Sequence, residues 1–223
     1  MTVDLIISYD GTPNDDDALA LGKLLAQTGF DVALAYVRHS KEFDPGREQL
    51  AQHDAEERLD RGTELIGLPV GQHVVLGGGT GGALADLAQE QGASVVVFGS
   101  DYRTPIGRAE PGTSAQRMID GGPVAVAVAA AGLRAKGTSA IRAIAVPFAG
   151  PVNDDARATA ASLAASLGAE VVDANAEGLD LIVVGSQEGA PKGRVVVAGE
   201  VRNELSSARS SVLVLPAETR IEF

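Results

Sequence analysis

The sequence predicts an α/β protein: a doubly wound, five-stranded parallel sheet of order 3-2-1-4-5 over residues 1–131, followed by a second, truncated copy of the same unit over 140–223. Two observations carry this. Short apolar, β-branched runs alternate with segments of helical period, and the opening of the chain recurs after residue 139. Runs that are apolar on both faces suit parallel strands covered by helices on either side.

The strands of the first unit are VDLIIS at 3–8, VALAYV at 32–37, HVVL at 73–76, SVVVFG at 94–99 and PVAVAV at 123–128. Between the first two, Thr12-Pro13-Asn14-Asp15 predicts a helix start with a threonine cap and proline at the first helical position. Ala18, Leu21, Gly22 and Leu25 then fall on one face. A charge-rich helix is expected over Pro45–Ile66, a third over Ala83–Gln91 and a short fourth from Thr113. Right-handed crossovers turn this βαβαβαβαβ string into one doubly wound sheet.

The stretch Ala129–Ser139, AAAGLRAKGTS, reads as a flexible linker. After it, IRAIAVPFAGPVNDDARATA at 141–160 parallels VDLIISYDGTPNDDDALALG at 3–22, with one extra residue in the second loop. LDLIVVGS at 179–186 parallels ASVVVFGS at 93–100, and SSVLVLP at 210–216 parallels GGPVAVAV at 121–128. A repeat in this order implies one shared fold. Between EVVDAN and LDLIVVGS there is no room for a helix, a strand and another helix, since a crossover takes about ten to twelve residues. The second copy is therefore expected to lack its second helix, third strand and most of its third helix.

Composition narrows the function classes. The chain of 223 residues is 45% apolar, enough for one large or two small cores, and it has no cysteine, which excludes disulfides and thiol chemistry. Its three histidines, His39, His53 and His73, form no metal-binding pattern. A net charge of −12 argues against nucleic-acid and membrane partners. The opening residues have no basic segment leading into a long apolar run, so a soluble, cytoplasmic protein is expected.

Three features converge where the strands of such a sheet end. Asp10 follows the first strand, Val37 and Arg38 end the second, and the loop GSDYRTPIGRAEPGTS, Gly99–Ser114, follows the fourth. Strands one and four flank the switch point where ligands bind in this topology. Gly99 and Gly112 would admit phosphate oxygens to the backbone, Thr113 and Ser114 would offer hydroxyls at a helix start, and Arg103 and Arg108 would supply positive charge.

These residues resemble the universal stress protein family: an aspartate in a DGT turn after strand one, and a loop of the form G-x2-G-x9-G-(S/T) after strand four. Gly99 and Gly112-Thr113 stand at that spacing, while Tyr102 replaces the middle glycine. The resemblance implies that Asp10 contacts an adenosine moiety, that Val37 and Phe98 frame the adenine, and that Gly99, Gly112, Thr113 and Ser114 hold ribose and phosphates. It further implies ATP or a related adenine nucleotide, with Mg as a companion ion, serving a stress-response regulatory role rather than an enzymatic one. No lysine follows the glycine loop as in a P-loop, so any hydrolysis is expected to be slow. In the second copy Ala149 stands at the Asp10 position and Gly199-Glu200 replaces Gly112-Thr113, which predicts an empty site. The two final strands, exposed edges in isolated units, are expected to pair as an intramolecular pseudo-dimer, with a further homodimer left open.

Alternatives remain at this stage. Tyr102 favours a nucleotide-free scaffold in which both sites have decayed. Thr113-Ser114-Ala115-Gln116 also reads as a capping box. The Asn14–Asp17 cluster fits a helix dipole better than a metal or a phosphoacceptor. GGGTGG at 77–82 contains GxGxxG, but on a strand expected at the sheet edge, so a flexible turn is preferred to a dinucleotide site.

Overall fold

The computed structural model describes residues 3–147, 153–197, 199, 201–202, 205 and 208–223. The strands are β1 (Leu5–Ser8), β2 (Val32–Arg38), β3 (Gly71–Leu76), β4 (Val95–Phe98), β5 (Ala125–Val128), β6 (Ala143–Ala145), β7 (Glu170–Val172), β8 (Leu181–Val184) and β9 (Ser211–Val214). The helices are α1 (Pro13–Leu25), α2 (Pro45–Ile66), α3 (Thr80–Gln91), α4 (Thr113–Ile119) and α5 (Asp154–Leu167). All nine strands form one sheet of order β3-β2-β1-β4-β5-β9-β8-β6-β7. The first five stand in the order 3-2-1-4-5 expected from the sequence.

Alternation within the strands sorts the core into two layers. Leu5 and Ile7 face Leu21 and Leu25 of α1 and Leu59 of α2, and that layer continues to Leu163 of α5. Ile6, Val96 and Phe98 face Leu84 and Leu87 of α3 and Met118 of α4. Both faces are covered, which is why the strands read as continuous apolar runs. Gly22 lets α1 lie close on β1: a β-carbon there would lie 2.2 Å from Cδ1 of Ile7.

Helix α1 starts as its sequence dictates. Thr12 caps it, Pro13 follows, and Asp15 completes a reciprocal capping box. Helix α3 begins three residues before its expected start, at Thr80. Its first turn, Thr80-Gly81-Gly82, has no apolar side chain to reveal the period. Gly81 is there for packing, since a β-carbon would lie 2.6 Å from the carbonyl oxygen of Ser114 on α4.

Strand β5 pairs antiparallel with β9, the one antiparallel junction among the named strands. The partners are Val126 with Val214, Ala127 with Leu213 and Val128 with Val212. Parallel pairing elsewhere equates Val95 with Leu181 and Ala125 with Ser211. The same shift of 86 positions equates Ala127 with Leu213, so the junction is self-complementary about that pair. This is the geometry of a two-fold interface within one chain.

The second half follows the order β7-β6-β8-β9, matching β2-β1-β4-β5. Leu5 pairs with Val95 and Ile144 with Leu181, so Leu5 corresponds to Ile144 and Asn14 to Asn153 at one constant shift. The extra loop residue expected from the sequence is therefore not needed. Only the eight residues 173–180 separate β7 from β8. A chain that short can cross β6 without a helix because β7 itself is only three residues long.

The first half of the stretch read as a flexible linker is packed, while Arg134–Gly137 are exposed. Ala129, Ala130, Ala131 and Leu133 are buried, and Leu133–Lys136 form a 3₁₀ turn. Its small side chains suit close packing, which composition alone does not separate from flexibility. Asp17 of α1 is buried and accepts hydrogen bonds from the backbone N–H groups of Gly132 (2.8 Å) and Arg134 (2.9 Å). Among the described residues no helix is long and apolar enough to cross a membrane.

Candidate functional site

At the carboxyl ends of β1, β2 and β4 lies an open cleft of about 240 Å³. It brings together all seven candidate residues: Asp10, Val37, Phe98, Gly99, Gly112, Thr113 and Ser114. They come from four separate segments. Val37 and Phe98, both buried, form apolar floor, and Asp10 stands exposed at the rim. Tyr9, Asp15, Tyr36, His39 and Thr80 complete much of the wall. The sequence reading missed these five, although Asp15 and Thr80 lie in motifs it had singled out for other reasons.

Asp15 organises the turn that presents Asp10. Its Oδ2 accepts from the N–H of Asp10 (3.1 Å), the N–H of Thr12 (2.9 Å) and the hydroxyl of Thr12 (2.8 Å). Burial pushes the Asp15 carboxyl above its ordinary range; these hydrogen bonds oppose the shift and the nearby Asp10 charge adds to it. Arg58 of α2 reaches the rim, donating to the carbonyl of Asp10 (3.2 Å) and lying 3.4 Å from its Oδ1. The same guanidinium sits over the Tyr36 ring, 5.3 Å from its centroid. Tyr9 is buried beneath, and desolvation together with Asp16 raises its phenol to about 12, so it stays protonated at neutral pH.

The glycines of the loop serve different ends. A β-carbon on Gly99 would fall 2.1 Å from the Asn14 carbonyl oxygen, so this glycine lets β4 pass the first turn of α1. Asn14 fixes the contact by donating from Nδ2 to the Ser100 carbonyl at 2.8 Å. At Gly112 the nearest atom to a β-carbon would be Asp101 Cα at 3.9 Å. Gly112 is the N-cap of α4, and no side chain caps that helix. The capping-box reading of Thr113–Gln116 is therefore corrected: Thr113 is already inside the helix, and Gln116 donates forward to Asp120.

Tyr102 stands away from the cleft. It is 73% exposed, and Arg103 stacks on its ring at 4.9 Å. Neither Arg103 nor Arg108 lines the cleft. The loop instead folds back on the end of β5: the Ser100 hydroxyl donates to the Ala129 carbonyl (2.6 Å) and accepts from the N–H of Glu110 (3.2 Å), while the N–H of Gly107 donates to the Ala131 carbonyl and the N–H of Ala131 donates to the Arg108 carbonyl. Pro105-Ile106-Gly107-Arg108 closes as a turn with φ +86° at Gly107, a conformation that favours glycine.

The second half builds the same loop bond for bond. The Ser186 hydroxyl donates to the Leu215 carbonyl (2.7 Å) and accepts from the N–H of Val196 (3.1 Å). Gly193 donates to the Ala217 carbonyl, and Ala217 donates to Arg194. The signal was present as G-S-x4-P-x-G-R at Gly99–Arg108 and Gly185–Arg194. Of the residues that decide the second half's expected site, Ala149 and Glu200 lie outside the described residues.

The GGGTGG segment lies at the β3 edge of the sheet and contributes only Thr80 to the cleft wall. Among the described residues no group of three His, Asp or Glu side chains converges as a metal site.

The sequence model for the universal stress protein family matches residues 4–130, more than half of the chain. The chain belongs to the universal stress protein family. Among solved structures, a universal stress protein from Archaeoglobus fulgidus DSM 4304 is similar over 97% of this chain and 99% of its own, at 12% identity and a TM-score of 0.67. A functionally unknown protein from Pseudomonas aeruginosa PAO1 is similar over 97% and 93%, at 13% identity and a TM-score of 0.63. These identities speak for the fold alone. No curated protein matches the chain.

Proposed function

We propose that this universal stress protein binds an adenine nucleotide in the cleft of its first half and uses it as a regulatory ligand. The observation that carries the reading is the convergence of Asp10, Val37, Phe98, Gly99, Gly112, Thr113 and Ser114 on one cleft. Val37 and Phe98 offer an apolar slot for a base, and Asp10 offers an acceptor at its rim. Gly112 keeps the backbone at the start of α4 open to solvent and ligand. Tyr102, the residue that spoke for a decayed site, stands outside the cleft, which favours this reading over a nucleotide-free scaffold. Among the described residues no three carboxylate or imidazole side chains form a metal cage, so a Mg ion would arrive bound to phosphate rather than to protein.

The second half, on this reading, is a truncated copy that serves as an internal partner and holds no nucleotide. Mass spectrometry of the purified chain under native and denaturing conditions tests the first claim. A released adenine nucleotide supports it; no adduct, together with no thermal shift from added adenine nucleotides, overturns it. Calorimetric titration tests the second, and two ligands per chain would overturn it.

A further inference from the structure

An open groove of about 460 Å³ runs along α1, and it shares no lining residue with the strand-end cleft. Helix α1 contributes Leu19, Ala20, Lys23 and Leu24 to it, α2 contributes Leu65, and the segment joining the halves contributes Leu133. The α1 positions recur at spacings of three and four, so they form one stripe on the helix. Leu65 is left 53% exposed beside it.

The second half shows what covers the matching face of α5. The shift that equates Leu5 with Ile144 equates Ala20 with Thr159 and Lys23 with Ser162. The Thr159 hydroxyl accepts from the N–H of Ile221 (3.0 Å), and the Ser162 hydroxyl accepts from the N–H of Phe223 (3.0 Å). Ile221 is buried, and Phe223 stacks on Phe30 with ring centroids 4.7 Å apart. A short non-helical stretch with apolar side chains at alternate positions thus closes this face.

The first half leaves its own face open. The shift that equates Ala127 with Leu213 equates Gly132 with Glu218, and both have positive φ, +79° and +53°. Beyond that point the two paths part. Asp17 binds the N–H groups of Gly132 and Arg134 and holds the 3₁₀ turn, whereas its counterpart Ala156 offers no acceptor. Lys23 in place of Ser162 also changes the chemistry, because a hydroxyl can accept an N–H and an ammonium only donates. Lys23 is exposed and has no ion pair among the described residues. The other charged groups of the groove are engaged, Asp16 with the Tyr9 hydroxyl and Arg134 with Asp17. A carboxylate is the complement that Lys23 lacks.

We propose that this groove docks a short non-helical segment of a partner protein, with apolar side chains at alternate positions and a carboxylate that meets Lys23. The test is an NMR titration of the full, isotope-labelled chain with acetyl-ETRIEF bearing a free carboxylate, copied from residues 218–223. Acetyl-KTRIKF-amide is the charge-reversed control. Amide signals of Ala20, Lys23, Gln27 and Leu65 should move, and the acidic peptide should bind at least about tenfold more tightly than the control. That preference would run against the net charge of −12, so it reports the local cation. Lys23→Glu should abolish the preference, and Leu65→Asp should weaken the acidic peptide about tenfold or more. Both side chains are exposed, so neither variant disturbs the core. Absence of binding, shifts confined to α5, equal affinity for the two peptides, or a preference unmoved by Lys23→Glu overturns the proposal.

Discussion

The carbonyl oxygen of Asn14 stands 2.1 Å from where a β-carbon on Gly99 would lie. The glycine that sequence reasoning assigns to ligand approach is thus required first by packing between β4 and α1. Gly99→Ala is expected to lower stability by about 1–3 kcal/mol, the usual cost of overpacking. Gly112→Ala has φ −70° and ψ 175°, open to any residue, and should change stability by under about 1 kcal/mol. Urea denaturation of the two variants decides it; equal losses would refute the distinction.

The duplicated loop gives a matched pair of variants. Ser100→Ala strands the Ala129 carbonyl and the Glu110 N–H, and Ser186→Ala strands the Leu215 carbonyl and the Val196 N–H. Each should cost about 1–3 kcal/mol, because the groups left behind are largely shielded from water. Near-equal midpoint shifts in denaturation are expected, and a large loss at one site with none at the other would contradict the equivalence.

Asp17 fastens α1 to the segment joining the halves. Asp17→Ala removes the acceptor of two backbone N–H groups and of the Arg134 guanidinium, 2.9 Å away. The expected loss is about 3 kcal/mol or more, since the carboxylate is 1% exposed. Arg134→Ala should cost under about 1 kcal/mol, because that guanidinium is 40% exposed and screened by water. Thermal melts that rank the two in the opposite order would refute the assignment.

Acid should act partly through Glu48. The Arg38 hydrogen bonds hold its carboxyl below the ordinary value of 4.5, with the Glu42 N–H assisting. A lowered folded-state pKa means that the unfolded chain binds the proton more readily. The stabilisation is therefore present above pH 4.5 and fades as pH falls through the lower folded value. Glu48→Gln should be less stable at neutral pH and show a shallower loss on acidification; an unchanged acid limb in melts from pH 7 to about pH 3 would count against this role.

Sequence made the sheet legible because parallel strands buried on both faces leave runs such as VVVF at 95–98, and because Thr12-Pro13 marks a helix start whichever helix follows. It also brought Asp10, Val37 and the Gly99–Ser114 loop to one rim, since strand ends in this topology share it, while Phe98 came only from the family resemblance. What it missed depends on three-dimensional neighbours. Asp15 looked like a helix-dipole residue, and only the fold shows its Oδ2 binding the Asp10 turn. Gly81 looked like loop freedom, and only the packing of α3 on α4 explains it. Tyr102, in the place of the middle glycine, spoke for a decayed site because spacing along a loop does not reveal which way the loop turns.

The junction of β5 with β9 centres on Ala127 and Leu213, and its two sides belong to one chain. Separate molecules joined by such an edge come apart on dilution, at a concentration set by their affinity. Here covalent connection keeps the mating strand at a high effective concentration whatever the protein level. The edge of β5, in the half that bears the cleft, therefore stays covered by β9 even when the protein is scarce.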